Sequence, residues 1–284
     1  MSELKYYMNS TISGSDFIMK VCLDWYSLRL RVDDYRGNIY AIIKEINRLA
    51  KKNFFTKSFV KVRSEHWRSF LSRGFMVEGV YSGYFRGSDA YCMSFYYDER
   101  RRISNQWKKE DEILQRVLRL SIQTDKPLLP DSFVLRKATS EDASILSRLY
   151  GSIFVSYPTP VHDPAYLSSV MEEGSLFYIV EKEGQIVSAA SAEINYTDYN
   201  AEMTDCVTLP QFRGHGFMRL LIYVLGEKLK DQRIYNLYSL ARSQSFGMNA
   251  ALHQLGYMYS GRLTQNCRIA GAYEDMCLWV KNGG

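Results

Sequence analysis

The sequence predicts a mixed α/β protein of 284 residues in which one order of strands and helices occurs twice. Three observations support this prediction. An apolar strand, a glycine turn and a helix follow one another over residues 207–230. Strands and helices alternate around that segment throughout residues 131–284. A similar but shorter order is found within residues 1–100.

The segment around which the chain is organised is the turn Arg213-Gly214-His215-Gly216. The helix after it has one apolar stripe, formed by Phe217, Leu220, Leu221, Val224, Leu225 and Leu229. Glycines in the turn leave the first helical N–H groups open, and these groups favour a phosphate-sized anion. The turn is not a Walker loop, because no Gly-Lys-Ser/Thr follows. It also lacks the third glycine of a dinucleotide-binding fingerprint.

The composition is that of an ordinary globular protein, with 46% hydrophobic and 24% charged residues. A net charge of +5 without a long basic run gives little support to nucleic-acid binding. The five cysteines form no C-x-x-C pair, which indicates reduced thiols and neither a disulfide framework nor a metal site. No apolar run follows the N-terminus or reaches membrane-spanning length, so we expect a cytoplasmic protein without a membrane partner.

The first half is predicted to begin with a hairpin over residues 17–32. The helix after it has Ile39, Ile42, Ile43, Ile46 and Leu49 on one face. A strand over residues 59–62, a helix over 66–72 and strands over 75–84 and 90–97 complete this half. A helix over residues 107–120 then connects the halves. Pro127 and Pro130 separate a first domain, residues 1–126, from a second, residues 131–284.

The two halves share local motifs as well as element order. Tyr35-Arg36-Gly37 opens a helix as Phe212-Arg213-Gly214 does, and Arg63-Ser64 corresponds to Arg242-Ser243. We therefore interpret the first half as a degenerate copy of the second. A chance recurrence of strands and helices would give the same pattern. The copy has Ile39 in place of a turn glycine, so we expect its branched side chain to block the anion site.

The second half is predicted to start with a strand over residues 133–138 and a helix that carries Ile145, Leu146, Leu149 and Ile153. A loop over residues 157–160, which we expect to lie over a substrate, precedes a second helix. The remaining elements are a hairpin over 176–194, strand 201–208, the helix after the glycine turn, strand 237–241, helix 246–255 and strands 257–263 and 275–281.

This β-α-α-β-β-β-α-β-α-β-β order and the glycine turn resemble the GCN5-related N-acetyltransferase (GNAT) family. The pyrophosphate-binding pattern of that family is Arg/Gln-x-x-Gly-x-Gly/Ala, to which Arg213 and Gly216 conform, whereas Met218 departs from it. The resemblance implies a central, mostly antiparallel sheet and acetyl-CoA as the co-substrate. It also implies that the acetyl-CoA site includes Arg213, Gly214, His215, Gly216, Phe217 and Met218.

Further segments are similar to the β-lysine N6-acetyltransferases of that family, which make the compatible solute N6-acetyl-β-lysine and have a two-part chain of this length. These segments are Glu202-Met203-Thr204-Asp205-Cys206, Leu209-Pro210, Gly247-Met248-Asn249, Leu255-Gly256-Tyr257 and Tyr273-Glu274-Asp275-Met276. The resemblance implies acetyl transfer to a small-molecule amine, the N6 amine of β-lysine, and a homodimer at the level of the family. A polyamine or another small amine is an alternative acceptor. A non-catalytic acyl-CoA sensor is an alternative of a different class.

Acetyl transfer to an amine requires a base, because an amine of pKa near 10.4 is only about one part in 2,000 unprotonated at neutral pH. Glu202 lies on the strand before the turn, where related transferases often have a glutamate, and is the expected base. Asp205 is the alternative base or an ammonium anchor. On a regular strand it lies on the opposite face, and a bulge would change this. Either residue can equally be an exposed strand carboxylate without a catalytic role.

Main-chain N–H groups are expected to hold the thioester oxygen as it gains charge, and the candidates are Val207, Thr208 and Leu209. Related enzymes protonate the thiolate with a tyrosine four residues before the glycine that ends the last helix. Leu252 occupies that position here. The possible substitutes are His253, Tyr257 and Tyr259, or the thiolate leaves without assistance.

Asn249 is a candidate for a hydrogen bond to pantetheine or adenine, or it is an exposed helical amide. A β-lysine substrate would also carry a carboxylate and a second amine. The sequence offers Arg242, Arg262 and Arg268 for the carboxylate, and Tyr196 and Tyr199 for the amine channel. It does not choose among them.

Overall fold

The structure of the protein is a computed structural model that describes residues 6–283. Residues 1–5, for which the sequence predicts no apolar targeting run, lie outside the described residues, as does residue 284.

The first half has the elements that its hydrophobic periodicity predicts, with one additional strand. Its elements are β1 (Tyr7–Ser13), β2 (Phe17–Asp24), β3 (Arg29–Gly37), α1 (Ile39–Lys52), β4 (Lys57–Arg63), α2 (Trp67–Leu71), β5 (Met76–Phe85) and β6 (Ser88–Tyr96), followed by the connecting helix α3 (Trp107–Leu118). The sequence did not predict β1, because this edge strand is rich in polar residues and lacks a clear apolar alternation.

The second half confirms the predicted order of elements. These are β7 (Val134–Lys137), α4 (Ala143–Ile153), α5 (Pro164–Glu172), β8 (Leu176–Lys182), β9 (Gln185–Asn195), β10 (Asn200–Thr208), α6 (Phe217–Asp231), β11 (Asn236–Arg242), α7 (Phe246–Gln254), β12 (Met258–Ile269) and β13 (Ala272–Asn282). The hairpin of β12 and β13 is longer than predicted, because only two residues join its strands.

The thirteen strands of the described residues belong to one sheet, in the order β1-β2-β3-β4-β6-β5-β12-β13-β11-β10-β9-β8-β7. From either edge towards the centre, β1–β6 and β8–β13 follow the same arrangement. Within residues 6–283 each half has one parallel pair, β3 with β4 and β10 with β11, and the other pairs are antiparallel. Helices α1 and α6 make the corresponding connections. The mixed α/β fold with a mostly antiparallel sheet is therefore confirmed, and the first half repeats part of it.

The halves meet where β5 lies against β12. A single residue pair, Gly79 opposite Gly261, joins these strands. A Cβ atom added to Gly261 would lie 2.1 Å from the carbonyl oxygen of Glu78, so only glycine permits this approach. The ammonium of Lys57 also crosses the junction. It donates to the carboxylate of Glu78 and to the carbonyl of Thr264, at 2.8 Å each.

Helices cover both faces of the sheet in the second half. Neighbouring residues of β9 illustrate this, because Ala189 packs in the core under α4 and α5, whereas Ala190 packs in the core under α6 and α7. The connecting helix α3 adds Leu114 and Val117 to the latter core. It therefore packs against the second half, although the sequence assigns it to the first domain. The domain limits at residues 126 and 131 stay a prediction.

Candidate active site

Strands β10 and β11 part from each other before β10 reaches the glycine turn. Their parallel pairing ends at Glu202, which lies opposite Tyr238. One residue further, the Ser239 hydroxyl donates to the Met203 carbonyl at 2.8 Å. A bulge after Thr204 then shifts the register of β10 against β9. The bulge and the short pairing leave the inner edge of β10 open over the last residues of the strand.

The glycine turn has the open backbone that the sequence predicts. Gly214 and Gly216 have φ angles of 85° and 76°, a left-handed conformation that favours glycine. Apart from the chain neighbours, no atom of the described residues lies within 4 Å of a Cβ added at either glycine. Gly216 is the N-cap of α6, and no side chain in the described part of the protein caps this helix. Within residues 6–283, no backbone carbonyl accepts from the N–H groups of residues 214–219. These donors and the helix dipole fit the diphosphate of acetyl-CoA.

The side chains around the turn leave these N–H groups accessible. The His215 ring folds back, with Nδ1 3.2 Å from a carbonyl oxygen of the turn, and stacks on Phe217 at 5.3 Å. Phe217 is buried and anchors α6 in the core, and Met218 packs against the same core. Arg213 is exposed, and its Nε donates to the Thr208 carbonyl at 3.4 Å. The exposed guanidinium is accessible to an anion held by the turn.

Of the three main-chain groups predicted to hold the thioester oxygen, only one is directed towards the opening. The Leu209 N–H donates to the Val187 carbonyl of the β9 side at 2.9 Å, which corrects its predicted role. N–H groups alternate between the two edges of a strand, so the Val207 N–H also points towards β9. The Thr208 N–H consequently points towards β11 and the opening.

A cavity of about 710 Å³ lies at the position where β10 and β11 part. Its lining includes Glu202 and Thr204 of β10, and Tyr238 and Leu240 of β11. The loop of residues 157–159 also lines it, as the sequence predicted for a segment over the substrate. The first half contributes Asp24, Arg29, Arg31, Asp33, Lys61 and Tyr84. The cavity is therefore built by both halves.

Two glutamates face each other across neighbouring strands in this cavity. Glu202 is paired directly opposite Glu193 of β9. Burial raises the pKa of Glu202, although the charges of Lys61 and Arg31 act in the opposite direction. Burial and the charges of Asp205 and Glu202 raise the pKa of Glu193 to about 8. Adjacent carboxylates resist losing both protons, so the pair can take up and release a proton near neutral pH.

The bulge in β10 determines the surroundings of Asp205. Its φ angle of 47° interrupts the regular alternation of the strand. Its carboxylate accepts from the Ser191 hydroxyl at 2.9 Å, and its carbonyl accepts from the Tyr150 hydroxyl at 2.8 Å. Burial raises its pKa to about 6, and the charge of Glu202 adds to the rise. In the described chain Asp205 does not line the cavity, so a direct role as base is less well supported than that of Glu202.

Sequence reasoning missed the charged residues that the first half contributes. Arg31 Nε and Lys61 Nζ each donate to the carboxylate of Asp33 at 2.9 Å, and Lys61 also donates to the Tyr84 hydroxyl at 2.9 Å. No local motif marks these residues, because they reach the site only through the sheet topology. Sequence reasoning also missed Glu193, although a hairpin of β9 and β10 places this residue opposite Glu202.

The arginines and tyrosines that the sequence offered for the substrate lie elsewhere. Within the described residues, the cavity lining includes none of Arg242, Arg262, Arg268, Tyr196 and Tyr199. The guanidinium of Arg242 pairs with Glu274 at 2.5 Å, and that of Arg262 lies 3.4 Å from Asp111. These arginines hold elements of the fold together.

Two further predicted residues have structural roles. The Asn249 amide donates to two main-chain carbonyls, at 2.9 and 2.8 Å, and accepts from Trp279 Nε1 at 2.7 Å. Because Asn249 is also 1% exposed, it is not available to acetyl-CoA. His253 Nε2 lies 3.0 Å from the Leu120 carbonyl oxygen and fixes the connecting segment. Neither residue is part of the described cavity lining.

Tyr257 is another of the predicted acids, and the described cavity lining does not include it either. Its side chain is buried in the core of the second half. Burial raises its pKa, and the charge of Cys206 on β10 adds to the rise. Its hydroxyl therefore keeps its proton at neutral pH, close to the part of β10 that borders the opening. Tyr259 instead packs against the Trp279 ring, with centroids 5.7 Å apart. The role of Tyr257 stays a prediction.

An open helix N-terminus, two parting strands and a cavity with buried carboxylates suit a transferase that brings an anionic donor to an amine. The model of the Acetyltransferase (GNAT) family matches residues 144–257. With the relatives described next, this match shows that the chain belongs to the GNAT family and is an acyl-CoA N-acyltransferase. Members of this family use acetyl-CoA.

The chain is 38% identical to the N-acetyltransferase YodP of Bacillus subtilis over 274 residues, which cover 96% of this chain and 99% of that protein. The β-lysine N(6)-acetyltransferase of Methanosarcina mazei is 35% identical and covers 87% of this chain and 99% of its own length. The enzyme of the same name from Methanococcus maripaludis is 33% identical, with coverages of 89% and 95%.

Across residues 6–283, every helix is too short or too polar to cross a lipid bilayer. In the same residues, no three His, Cys, Asp or Glu side chains are grouped so that they could hold a metal ion.

Proposed function

We propose that the protein transfers the acetyl group of acetyl-CoA to the N6 amine of β-lysine (3,6-diaminohexanoate). The product is N6-acetyl-β-lysine, a compatible solute, and the reaction takes place in the cytoplasm. Two relatives that cover 87% and 89% of this chain are β-lysine N(6)-acetyltransferases.

The charge arrangement of the cavity is the observation that supports this acceptor most directly. The second half contributes the carboxylates Glu173, Glu193 and Glu202, and the first half contributes the cations Arg29, Arg31 and Lys61. A diamino acid carries both ammonium groups and a carboxylate, so it can match both walls. Asp24 and Asp33 of the same wall neutralise two of the three positive charges, and a polyamine offers no anionic group to the one that remains.

Glu202 is the residue that we assign as the base. It takes a proton from the N6 ammonium, and the nitrogen lone pair then attacks the thioester carbonyl carbon. The Tyr238 hydroxyl donates to Glu202 and orients the carboxylate. Glu193 opposite can share the proton before it passes to water.

The developing oxyanion accepts from the Thr208 N–H, the main-chain donor directed towards the opening. The new N–C bond forms as the C–S bond breaks. Tyr257 protonates the sulfur, although a thiol pKa of about 8.5 makes this assistance modest. Overall the nitrogen loses two protons: the first passes to water through the carboxylates, and the second replaces the proton that Tyr257 gives to the sulfur.

Thiol release from acetyl-CoA, measured with a panel of amines, tests the proposal. The panel contains β-lysine, α-lysine, ornithine, spermidine and putrescine, and mass spectrometry of the product distinguishes acetylation at N6 from acetylation at N3. We expect the highest kcat/KM for β-lysine and a product acetylated at N6. An equal or higher kcat/KM for spermidine would overturn the proposal.

A further inference from the structure

The cationic wall of the cavity comes entirely from the half that lacks an open cofactor turn. Among the lining residues of the first half, three cations stand against two carboxylates, and these residues are Asp24, Arg29, Arg31, Asp33 and Lys61. The wall from the second half has only carboxylates as charged groups. The surplus positive charge is thus directed at the acceptor from the opposite side of the cavity.

Arg31 is the cation whose terminal N–H groups are available to a ligand. Its Nε donates to Asp33, and the terminal guanidinium nitrogens have no partner among the described residues. Its side chain is 34% exposed, whereas those of Arg29 and Lys61 are 8% exposed. Arg29 already donates to Asp24 and to the Asn266 carbonyl. The two terminal nitrogens of Arg31 therefore form a planar pair of N–H donors without a partner among the described residues, the arrangement that binds a carboxylate in bidentate fashion.

The contact with Asp33 fixes the position of Arg31. The carboxylate of Asp33 holds both Arg31 and Lys61, and Lys61 is fixed in turn by Tyr84. Because one side of the guanidinium is held in this way, little side-chain entropy remains to be lost when a ligand binds. The charge of Arg31 reaches Glu202 on the opposite wall. A substrate held at both residues would span the cavity.

We propose that Arg31 binds the carboxylate of the amino-acid acceptor, so that the first half supplies the substrate specificity of the catalytic half. This inference rests on the proposed function and identifies the residue that selects a diamino acid over a diamine. The acceptor lies with its carboxylate at Arg31 and its distal amine at Glu202. The length of the chain between the two groups then determines which amine reaches the thioester.

The test compares β-lysine with 1,4-diaminopentane, which is β-lysine without its carboxylate, as acceptors of the wild-type enzyme and of Arg31→Gln. We expect Arg31→Gln to lower kcat/KM for β-lysine by about 10- to 100-fold, the range for a lost hydrogen bond to a charged group. The value for 1,4-diaminopentane, measured on the alkaline plateau where Glu202 is ionised in both enzymes, should stay within about threefold. Arg48→Gln is the matched control, because Arg48 lies on the surface of α1 and its guanidinium pairs with Glu45 of the same helix. It should change neither value.

Arg31→Lys is the second variant and covers the case in which Arg31→Gln does not fold. It keeps the charge but loses the bidentate geometry, so we expect a smaller loss that is again restricted to β-lysine. An equal loss for both acceptors, or no loss for either, would overturn the inference. If the wild-type enzyme prefers another diamino acid, the proposed function fails, and the same comparison with that acid and its decarboxylated form still tests Arg31. If it prefers diamines to every diamino acid, both proposals fail.

Discussion

Helices α1 and α6 begin at corresponding places in the two halves, but their first N–H groups have different partners. At α1, the Asn38 side chain accepts from the N–H groups of Tyr40 and Ala41, at 3.0 and 3.3 Å. At α6, Gly216 offers no side chain, and the donors stay open. The sequence predicted that Ile39 blocks the first site. The structure instead has Ile39 packed against the core, and Asn38 occupies the donors.

The two parallel strand pairs also differ in whether the cleft between their strands is open. Strands β3 and β4 are paired up to Val32, directly before the bulge at Asp33, and two ion pairs continue the contact. Lys61 pairs with Asp33 at 2.9 Å, and Arg63 pairs with Asp34 at 2.6 Å. In the described chain no ion pair joins β10 to β11. The cleft of the first half is closed, and the cleft of the second half is open.

The pKa values of the carboxylates at the two clefts are shifted in opposite directions. Burial alone would raise the pKa of Asp33, but Arg31 and Lys61 outweigh burial and hold it below its usual range. For Glu202, burial outweighs the same two cations, and the pKa is raised. Asp33, which is in contact with both cations, is therefore a permanently ionised structural carboxylate. Glu202 occupies the corresponding region of the second half without such a contact, and it can accept a proton.

Glu202→Gln should produce the largest change, because it removes the proton acceptor from the open cleft. We expect kcat to fall about 100- to 10,000-fold, the usual range for loss of a general base. The affinity for acetyl-CoA, measured by calorimetry, should stay unchanged. Glu183→Gln in the exposed β8–β9 turn is the control and should keep full activity. Activity of Glu202→Gln within tenfold of wild type would disprove the assignment.

Gly216→Val should close the open turn and lower the affinity for acetyl-CoA roughly 100-fold, because the new side chain occupies the space over the helix donors. Gly184→Val is a matched control. Gly184 has a φ angle of 78° and no atom within 4 Å of an added Cβ, so it carries similar backbone strain away from the site. Both variants should lose similar thermal stability, and only the first should lose binding. Equal binding by both would contradict the proposed turn.

Glu193→Gln should shift the pH dependence of the open cleft. The pair is the stronger base when both glutamates are ionised, so the rate should rise with pH towards the Glu193 pKa of about 8. Removing one negative charge makes it easier to ionise Glu202, whose pKa falls. The acid limb of kcat/KM should therefore move to lower pH by about one unit. A shift to higher pH would contradict the coupling.

Asn38→Ala should have the smallest effect, because it removes only the cap that closes the first turn. We expect a loss of about 1 kcal/mol in the free energy of unfolding, and about 2 °C in Tm. Asn38→Gly should cost only a few tenths of that value. Catalysis and the stoichiometry of one acetyl-CoA per chain should not change. A second bound acetyl-CoA would show that the cap, rather than the ion pairs between β3 and β4, closes the first cleft.

Much of the fold could be predicted because it depends on local sequence patterns. The apolar stripe of α6 and its two turn glycines lie within a single short segment, so periodicity and backbone chemistry were sufficient. The register of β9 against β10 could also have been predicted from the sequence. Four residues separate Asn195 from Asn200, and a hairpin closed there places Glu193 opposite Glu202.

The substrate wall could not be predicted from local patterns. Arg31 and Lys61 lie on β3 and β4, and only the path of the sheet brings them to β10. The role of Asn249 was misread for a related reason. Its helical position is compatible with a ligand, and only the tertiary structure shows that Trp279 and two carbonyls occupy its amide.

The glycine contact between β5 and β12 has a practical consequence for studies of this enzyme. A fragment that begins at Pro130 would retain the acetyl-CoA turn and Glu202. Its strand β12 would be an unpaired edge strand, which favours association with other chains. It would also lack Arg31 and Lys61. Such a fragment would report on the binding of the donor and not on the choice of acceptor.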